Sequence, residues 1–106
     1  MAKGDPRMQK LYLDTDLGGD IDDLCALAMV LNWPGAELVG VTTVSDDRGR
    51  RAGYARYVLD LAGRSDIPVA AGADISHGYY RRGQPSLPDE NAYWLEPIQP
   101  MPGPRR

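Results

Sequence analysis

Ten consecutive residues, Asp14-Thr15-Asp16-Leu17-Gly18-Gly19-Asp20-Ile21-Asp22-Asp23, carry five carboxylates with no Lys or Arg among them. Crowded like charges repel, and two adjacent glycines disfavour regular structure. The segment therefore reads as a loop, and its flanks say what it joins. Before it, Lys10 to Thr15 (KLYLDT) is a short β-prone run. After it, Ile21 to Asn32 (IDDLCALAMVLN) consists mostly of good helix formers and ends at Pro34-Gly35. That helix is apolar on nearly all sides beyond its first turn, which predicts a largely buried element.

The pattern continues in the same alternation. Ala36 to Val44 (AELVGVTTV) is β-branched and almost continuously apolar, as in a parallel strand covered on both faces. Arg48 to Ala62 places Ala52, Ala55, Val58, Leu59 and Ala62 on one stripe, and Gly63 supplies a stop. Its arginines at 48, 50, 51 and 56 are read as a solvated face. Ile67 to Ala71 (IPVAA) is a third short strand with Pro68 near its start, where a missing donor is tolerable. The order is β-α-β-α-β. This predicts an α/β fold, a partial Rossmann-like parallel sheet in which ligands bind at the carboxyl ends of the strands.

Proline divides the rest of the chain. Six of the nine prolines lie between Pro85 and Pro104, in a stretch without apolar periodicity. Residues 1–73 are expected to form the α/β part and residues 74–106 an irregular Gly/Pro-rich, Pro-rich C-terminal tail. With 106 residues there is room for one modest core.

Charge and cysteine usage narrow the function classes. The net charge of −3 offers no general attraction for phosphate backbones, so nucleic acid is not an expected partner. No apolar run approaches the roughly 20 residues that span a bilayer, and no membrane association is expected. The single thiol, Cys25, sits in the apolar helix and reads as a small buried hydrophobe. A cytoplasmic setting is the expectation.

The acidic loop carries the chemistry. Helix capping and the helix dipole explain one or two acids at a helix start, such as Asp20, Asp22 or Asp23, but leave Asp14 and Asp16 without a role. A hard divalent cation accounts for all of them, with Ca²⁺ preferred for its tolerance of irregular oxygen sets and Mg²⁺ as second choice. An EF-hand does not fit: counting from Asp14 as position 1, position 12 is Cys25 where a bidentate Glu belongs, and a strand precedes the loop. A Mg²⁺-dependent haloacid-dehalogenase-type phosphatase also places Asp-x-Asp after its first strand, but leaves Asp22-Asp23 unexplained.

Together these residues resemble the inosine-uridine-preferring nucleoside hydrolase family, in its N-terminal portion. Asp14-Thr15-Asp16-Leu17-Gly18 followed by Asp22-Asp23 is similar to the family's Asp-x-Asp-x-Gly loop and Asp-Asp pair. Gly19, Asp20 and Ile21 intervene where the usual form has one residue, a longer spacing that looks like a divergent branch. Gly40-Val41-Thr42-Thr43-Val44-Ser45 resembles the second strand and loop, and Leu61 to Val69 the following helix end and third strand.

The resemblance implies Ca²⁺-dependent hydrolysis of the N-glycosidic bond of ribonucleosides to ribose and free base. It implies that Asp16 binds the metal and acts as general base on the attacking water, that Asp23 is a bidentate metal ligand, that Asp22 hydrogen-bonds a ribose hydroxyl, and that Asp14 supports the ligands. Asp47 stands where the family commonly has a ribose-binding Asn, preceded by Asp46 in place of Gly. An Asp there accepts from a hydroxyl but cannot donate. Capping of the next helix is the alternative role for Asp46 and Asp47.

The resemblance covers Lys10 to about Ala73, whereas the family's chains are roughly three times as long. The remainder supplies, in the family, a backbone carbonyl ligand, a further Asp ligand and the groups that handle the leaving base. A fragment, a subunit completed by another chain, and a non-catalytic metal-binding remnant are the resulting alternatives, with a homo-oligomer or a complementing chain as expected partner. His77 in the tail is read as an exposed loop residue, and Tyr79, Tyr80, Tyr93 and Trp94 as local packing groups.

Overall fold

The computed structural model describes residues 7–19, 21–73, 94 and 97–103. Strand β1 (Gln9–Thr15), helix α1 (Ile21–Asn32), strand β2 (Ala36–Thr43), helix α2 (Arg50–Leu61) and strand β3 (Val69–Ala70) follow in chain order, with a 3₁₀ turn at Asp47–Gly49. The strands form one parallel sheet in the order β1-β2-β3. The expected α/β alternation is present, and α1 has the expected bounds.

The differences at the other ends have local causes. Beyond Thr43, Ser45 adopts a left-handed φ of 51°, which turns the chain out of β2. Arg48 (φ 56°) and Gly49 (φ 77°) are also left-handed, so α2 starts two residues later than its apolar stripe suggests. β3 is shorter than expected because Pro68 has no N–H to give. It contributes only its carbonyl, which accepts from Val41 N at 3.0 Å.

Burial departs from expectation in two elements. The sheet register aligns Leu13, Val41 and Val69 in one row and Asp14, Thr42 and Ala70 in the next. Val41 and Val69 are buried, whereas all three of the second row are exposed. One face of β2 therefore faces outward, and the strand is not covered on both sides. In α1 only Leu27 is fully buried, while Ile21, Cys25 and Met29 are exposed. A three-stranded sheet has too little surface to cover a helix that is apolar all round. Cys25 is thus an exposed thiol and not a core residue.

The core gathers on the other face of the sheet and around α2. Leu27, Leu38, Val41, Ala52, Ala55, Leu59, Ile67 and Val69 pack there, with Leu17 from the acidic loop and Ile98 from the C-terminal segment. Ala52, Ala55 and Leu59 are the buried residues of the expected stripe. Arg51, Gly53 and Tyr54 are buried as well: the loops after β1 and β2 meet Arg51, Trp94 and the Gly18 turn cover Tyr54, and residues 97–103 lie against α2 at Gly53 without regular secondary structure of their own. Met101 N donates to Gly49 O at 2.8 Å. At Gly53 the backbones approach so closely that an added Cβ would sit 2.1 Å from Gln99 O. Trp94 stacks on Tyr54 with centroids 4.8 Å apart and meets Tyr57 edge-on at 5.8 Å. At the far end of α2, Arg56 donates to Asp60 (2.9 Å), Ile67 O (2.6 Å) and Arg64 O (3.2 Å). His77, Tyr79, Tyr80 and Tyr93 lie outside the described residues.

Candidate functional site

Both unusual loops leave the sheet at the carboxyl ends of adjacent strands, the position at which open α/β sheets bind ligands. The two-residue strand period decides what each side chain of β1 does. Thr15 points inward and is buried, while Asp14 and Asp16 are exposed. The Thr15 hydroxyl donates to Asp23 Oδ2 at 2.6 Å and accepts from Leu17 N at 3.1 Å. It thereby ties the last residue of the strand to the first turn of α1, where Asp23 sits.

The carboxyl groups of Asp16 and Asp23 are neighbours and act on each other's ionisation. Hydrogen bonding toward Asp23, with burial and the Asp23 charge behind it, raises the Asp16 pKa above the ordinary carboxylate value, and Arg51 opposes this. Interaction with Asp16 and the bond from Thr15 lower that of Asp23. Neighbouring hard oxygen donors are also what a hard divalent cation selects.

The remaining predicted residues are placed differently. Asp14 Oδ1 accepts from Thr42 Oγ1 at 2.8 Å on the outward face of the sheet. Asp22 is exposed in the first turn of α1. Asp20 lies outside the described residues. Among the described residues no group of three or more His, Cys, Asp or Glu side chains converges in a metal-holding cluster. The structure thus concentrates the acidic loop on one pair.

In the second loop Asp46 is 2% exposed and accepts from Thr43 Oγ1 (2.6 Å), Arg51 N (2.8 Å) and Ala52 N (2.9 Å). It satisfies two of the orphan donors at the start of α2, the capping alternative, although Gly49 stands at the helix boundary. Asp47 is exposed and lies 3.3 Å from the Arg48 guanidinium.

Sequence reasoning missed Arg51. It is 3% exposed, not part of a solvated face. Its Nη1 donates to the main-chain carbonyls of Asp16 and Leu17, the latter at 3.3 Å, and its Nε to Ser45 O at 2.9 Å. The signal for it was the acidic loop itself, since a segment with no cation of its own requires one from elsewhere. Gly18 was noted only as a turn residue. With φ 123°, and with a Cβ here falling 2.2 Å from the Tyr54 ring, the position demands glycine on both grounds.

A parallel α/β sheet with an acidic pair at the end of its first strand places the candidate site where open sheets bind ligands. The family model described as inosine-uridine preferring nucleoside hydrolase matches residues 11–94, and the chain belongs to that family. It is 35% identical over 98 residues to a probable uridine nucleosidase 2 of Oryza sativa subsp. japonica, an alignment covering 79% of this chain and 28% of the relative. A probable uridine nucleosidase 2 of Arabidopsis thaliana is 33% identical over 115 residues, covering 94% of this chain and 34% of the relative. The inosine-uridine preferring nucleoside hydrolase of Crithidia fasciculata is 35% identical over 68 residues, covering 62% and 21%. The chain spans about a third or less of the length of these relatives.

Proposed function

We propose that this chain carries the metal- and water-handling part of a ribonucleoside hydrolase, which cleaves the N-glycosidic bond to give ribose and free base. The observation that supports it is the placing of Asp16 beside Asp23, itself tied to Thr15 at the end of β1, inside the segment matched by the family. The family match leaves the phosphatase alternative without support.

In this reading Asp16 and Asp23 hold Ca²⁺, or Mg²⁺ as second choice, with Asp14 behind them braced by Thr42. When bound, the ion supplies fixed positive charge that makes water more acidic and orients the sugar diol. Asp16 accepts a proton from the attacking water. Asp23 accepts from the Thr15 hydroxyl, a bond that favours its charged form. Asp22 and Asp47 accept hydrogen bonds from ribose hydroxyls. The water oxygen bonds to the anomeric carbon as the bond to nitrogen breaks, the bonding pair leaves with the base, which takes up a proton from solvent water, and the flanking carboxylates stabilise the oxocarbenium character that develops on the sugar.

Two carboxylates supply fewer oxygens than the six to eight that calcium accepts. Further ligands come from water, from substrate, or from a second copy or a complementing chain. The reading places the protein in the cytoplasm, where Cys25 stays reduced. Among the described residues, no helix is long and apolar enough to cross a membrane.

The test is calorimetric titration of calcium into the full chain, followed by a ribose-release assay on uridine and inosine with calcium present. Micromolar to millimolar calcium uptake, abolished by Asp16→Asn with the circular dichroism spectrum unchanged, is the expected result. Absence of uptake refutes the site. Uptake without ribose release, even with complementing chains added, identifies a non-catalytic metal-binding remnant.

A further inference from the structure

Where the strands end, Val44 N donates to Thr15 O at 3.1 Å, and beyond that point Arg51 links the two loops of the proposed site. Arg51 reaches back from the first turn of α2 and donates to Asp16 O and Leu17 O in the acidic loop, and to Ser45 O in the second loop. Its own main-chain N–H is held by Asp46. The fork of a guanidinium is rigid and planar, so donors on different nitrogens fix the relative position of their acceptors in a way that a single ammonium cannot.

What it fixes is consequential. The Asp16 carbonyl belongs to the residue assigned as metal ligand and base. The Ser45 carbonyl belongs to a non-glycine residue with φ 51°, a conformation that costs about 1–2 kcal/mol unless its surroundings impose it. Two residues further on stands Asp47, the residue assigned to the ribose. The charge of Arg51 also bears on both carboxyls of the acidic pair. Burial keeps the guanidinium out of water, so it has no reason to leave its carbonyl partners.

We infer that Arg51 is the positioning residue of this site: it sets the distance between the acidic loop that takes the cation and the loop that meets the sugar. The assignment of what those loops bind rests on the proposed function. The clamp itself does not.

Arg56 provides the control. It too donates from one α2 position to main-chain carbonyls, those of Ile67 and Arg64, but at the opposite end of the helix. A side chain with a merely structural role should behave alike at both positions. The experiment uses the full chain with Arg51→Met, Arg51→Lys and Arg56→Met, reading calcium affinity by calorimetry and amide hydrogen exchange at Leu17 and Gly18 by NMR.

Arg51→Met should weaken calcium binding at least tenfold and speed exchange at Leu17 and Gly18 by a similar factor. Arg51→Lys should recover part of both, because an ammonium reaches one loop but not both. Arg56→Met should lower the melting temperature and leave both readouts unchanged. Equal effects of Arg51→Met and Arg56→Met, or a gain of calcium affinity in Arg51→Met, overturn the inference. If Arg51→Met does not fold, Arg51→Lys against the parent chain decides: unchanged exchange at Leu17 and Gly18 overturns the clamp. If the parent chain takes up no calcium, the metal assignment fails while the exchange rates still decide for or against Arg51.

Discussion

Replacing Asp46 by Ala removes one buried acceptor from three donors, the Thr43 hydroxyl and the N–H groups of Arg51 and Ala52. The hydroxyl can rotate. The two N–H groups cannot, because they open α2 and have no preceding turn to bond to. Each buried donor left unsatisfied costs about 1–3 kcal/mol, so the two together cost about 2–6 kcal/mol. Against a total stability of about 5–15 kcal/mol for a natural domain, that is a severe loss. At about 4 °C or more per kcal/mol for a domain near this size, the melting point should fall by roughly 8 °C or more. Asp46→Asn keeps the shape and the acceptor for Arg51 N but turns an NH₂ toward Ala52 N, so it should cost about 1–3 kcal/mol, one lost bond. Asp47→Ala, at an exposed ion pair, should change stability by less than about 1 kcal/mol. Thermal melts followed by circular dichroism give the order directly. A melt of Asp46→Ala within about 2 °C of the parent, less than 1 kcal/mol on the same scale, refutes the claim that this carboxylate starts the helix.

Two further substitutions separate packing from propensity. Gly53→Ala in a helix interior ordinarily stabilises by about 1 kcal/mol; here the new methyl meets the Gln99 carbonyl, so the melting point should drop and Trp94 fluorescence should shift as residues 97–103 are pushed off α2. A rise in melting point would show that the segment does not press on the helix. Tyr54→Phe removes a hydroxyl that is buried without a hydrogen-bond partner among the described residues, so it should leave stability equal or raise it by up to about 1 kcal/mol, and a loss greater than that in a denaturant titration would mean the hydroxyl is bonded.

The architecture was legible where local chemistry decides it. Helix formers between an acidic start and Pro34-Gly35 set the bounds of α1, and β-branched runs marked β1 and β2. Burial was not legible, because apolar content says what a segment tolerates and not what lies over it. The outward row of Asp14, Thr42 and Ala70 depends on a sheet with one covered face, and strand composition alone does not reveal which face that is. The packing of Ile98 and Met101 on α2 was illegible for a related reason. Their neighbours are prolines, which exclude regular structure but do not prevent a segment from lying against a helix whose glycines admit its backbone.

In the site, composition exposed the acids but not the groups that order them. Asp16 and Asp23 stand out as charges without compensation, yet what ties Asp23 to the end of β1 is Thr15, a neutral residue whose inward direction follows from strand period once Asp14 is placed outward. Arg51 is harder to foresee. It sits among basic residues on an amphipathic helix, a setting in which most arginines are solvated, and its partners Asp16 and Leu17 are 35 and 34 residues away in sequence. Charge balance supplies the missing reasoning. Five acids in ten residues demand a cation, and the choice lies between a bound ion and a side chain brought in by the fold. This chain has the side chain in place, bonded to the carbonyls and bearing electrostatically on both carboxyls of the pair. The guanidinium bonds carbonyls and not the carboxylates that would take an ion, so loss of Arg51 should cost the site its geometry before it frees a ligand for the ion.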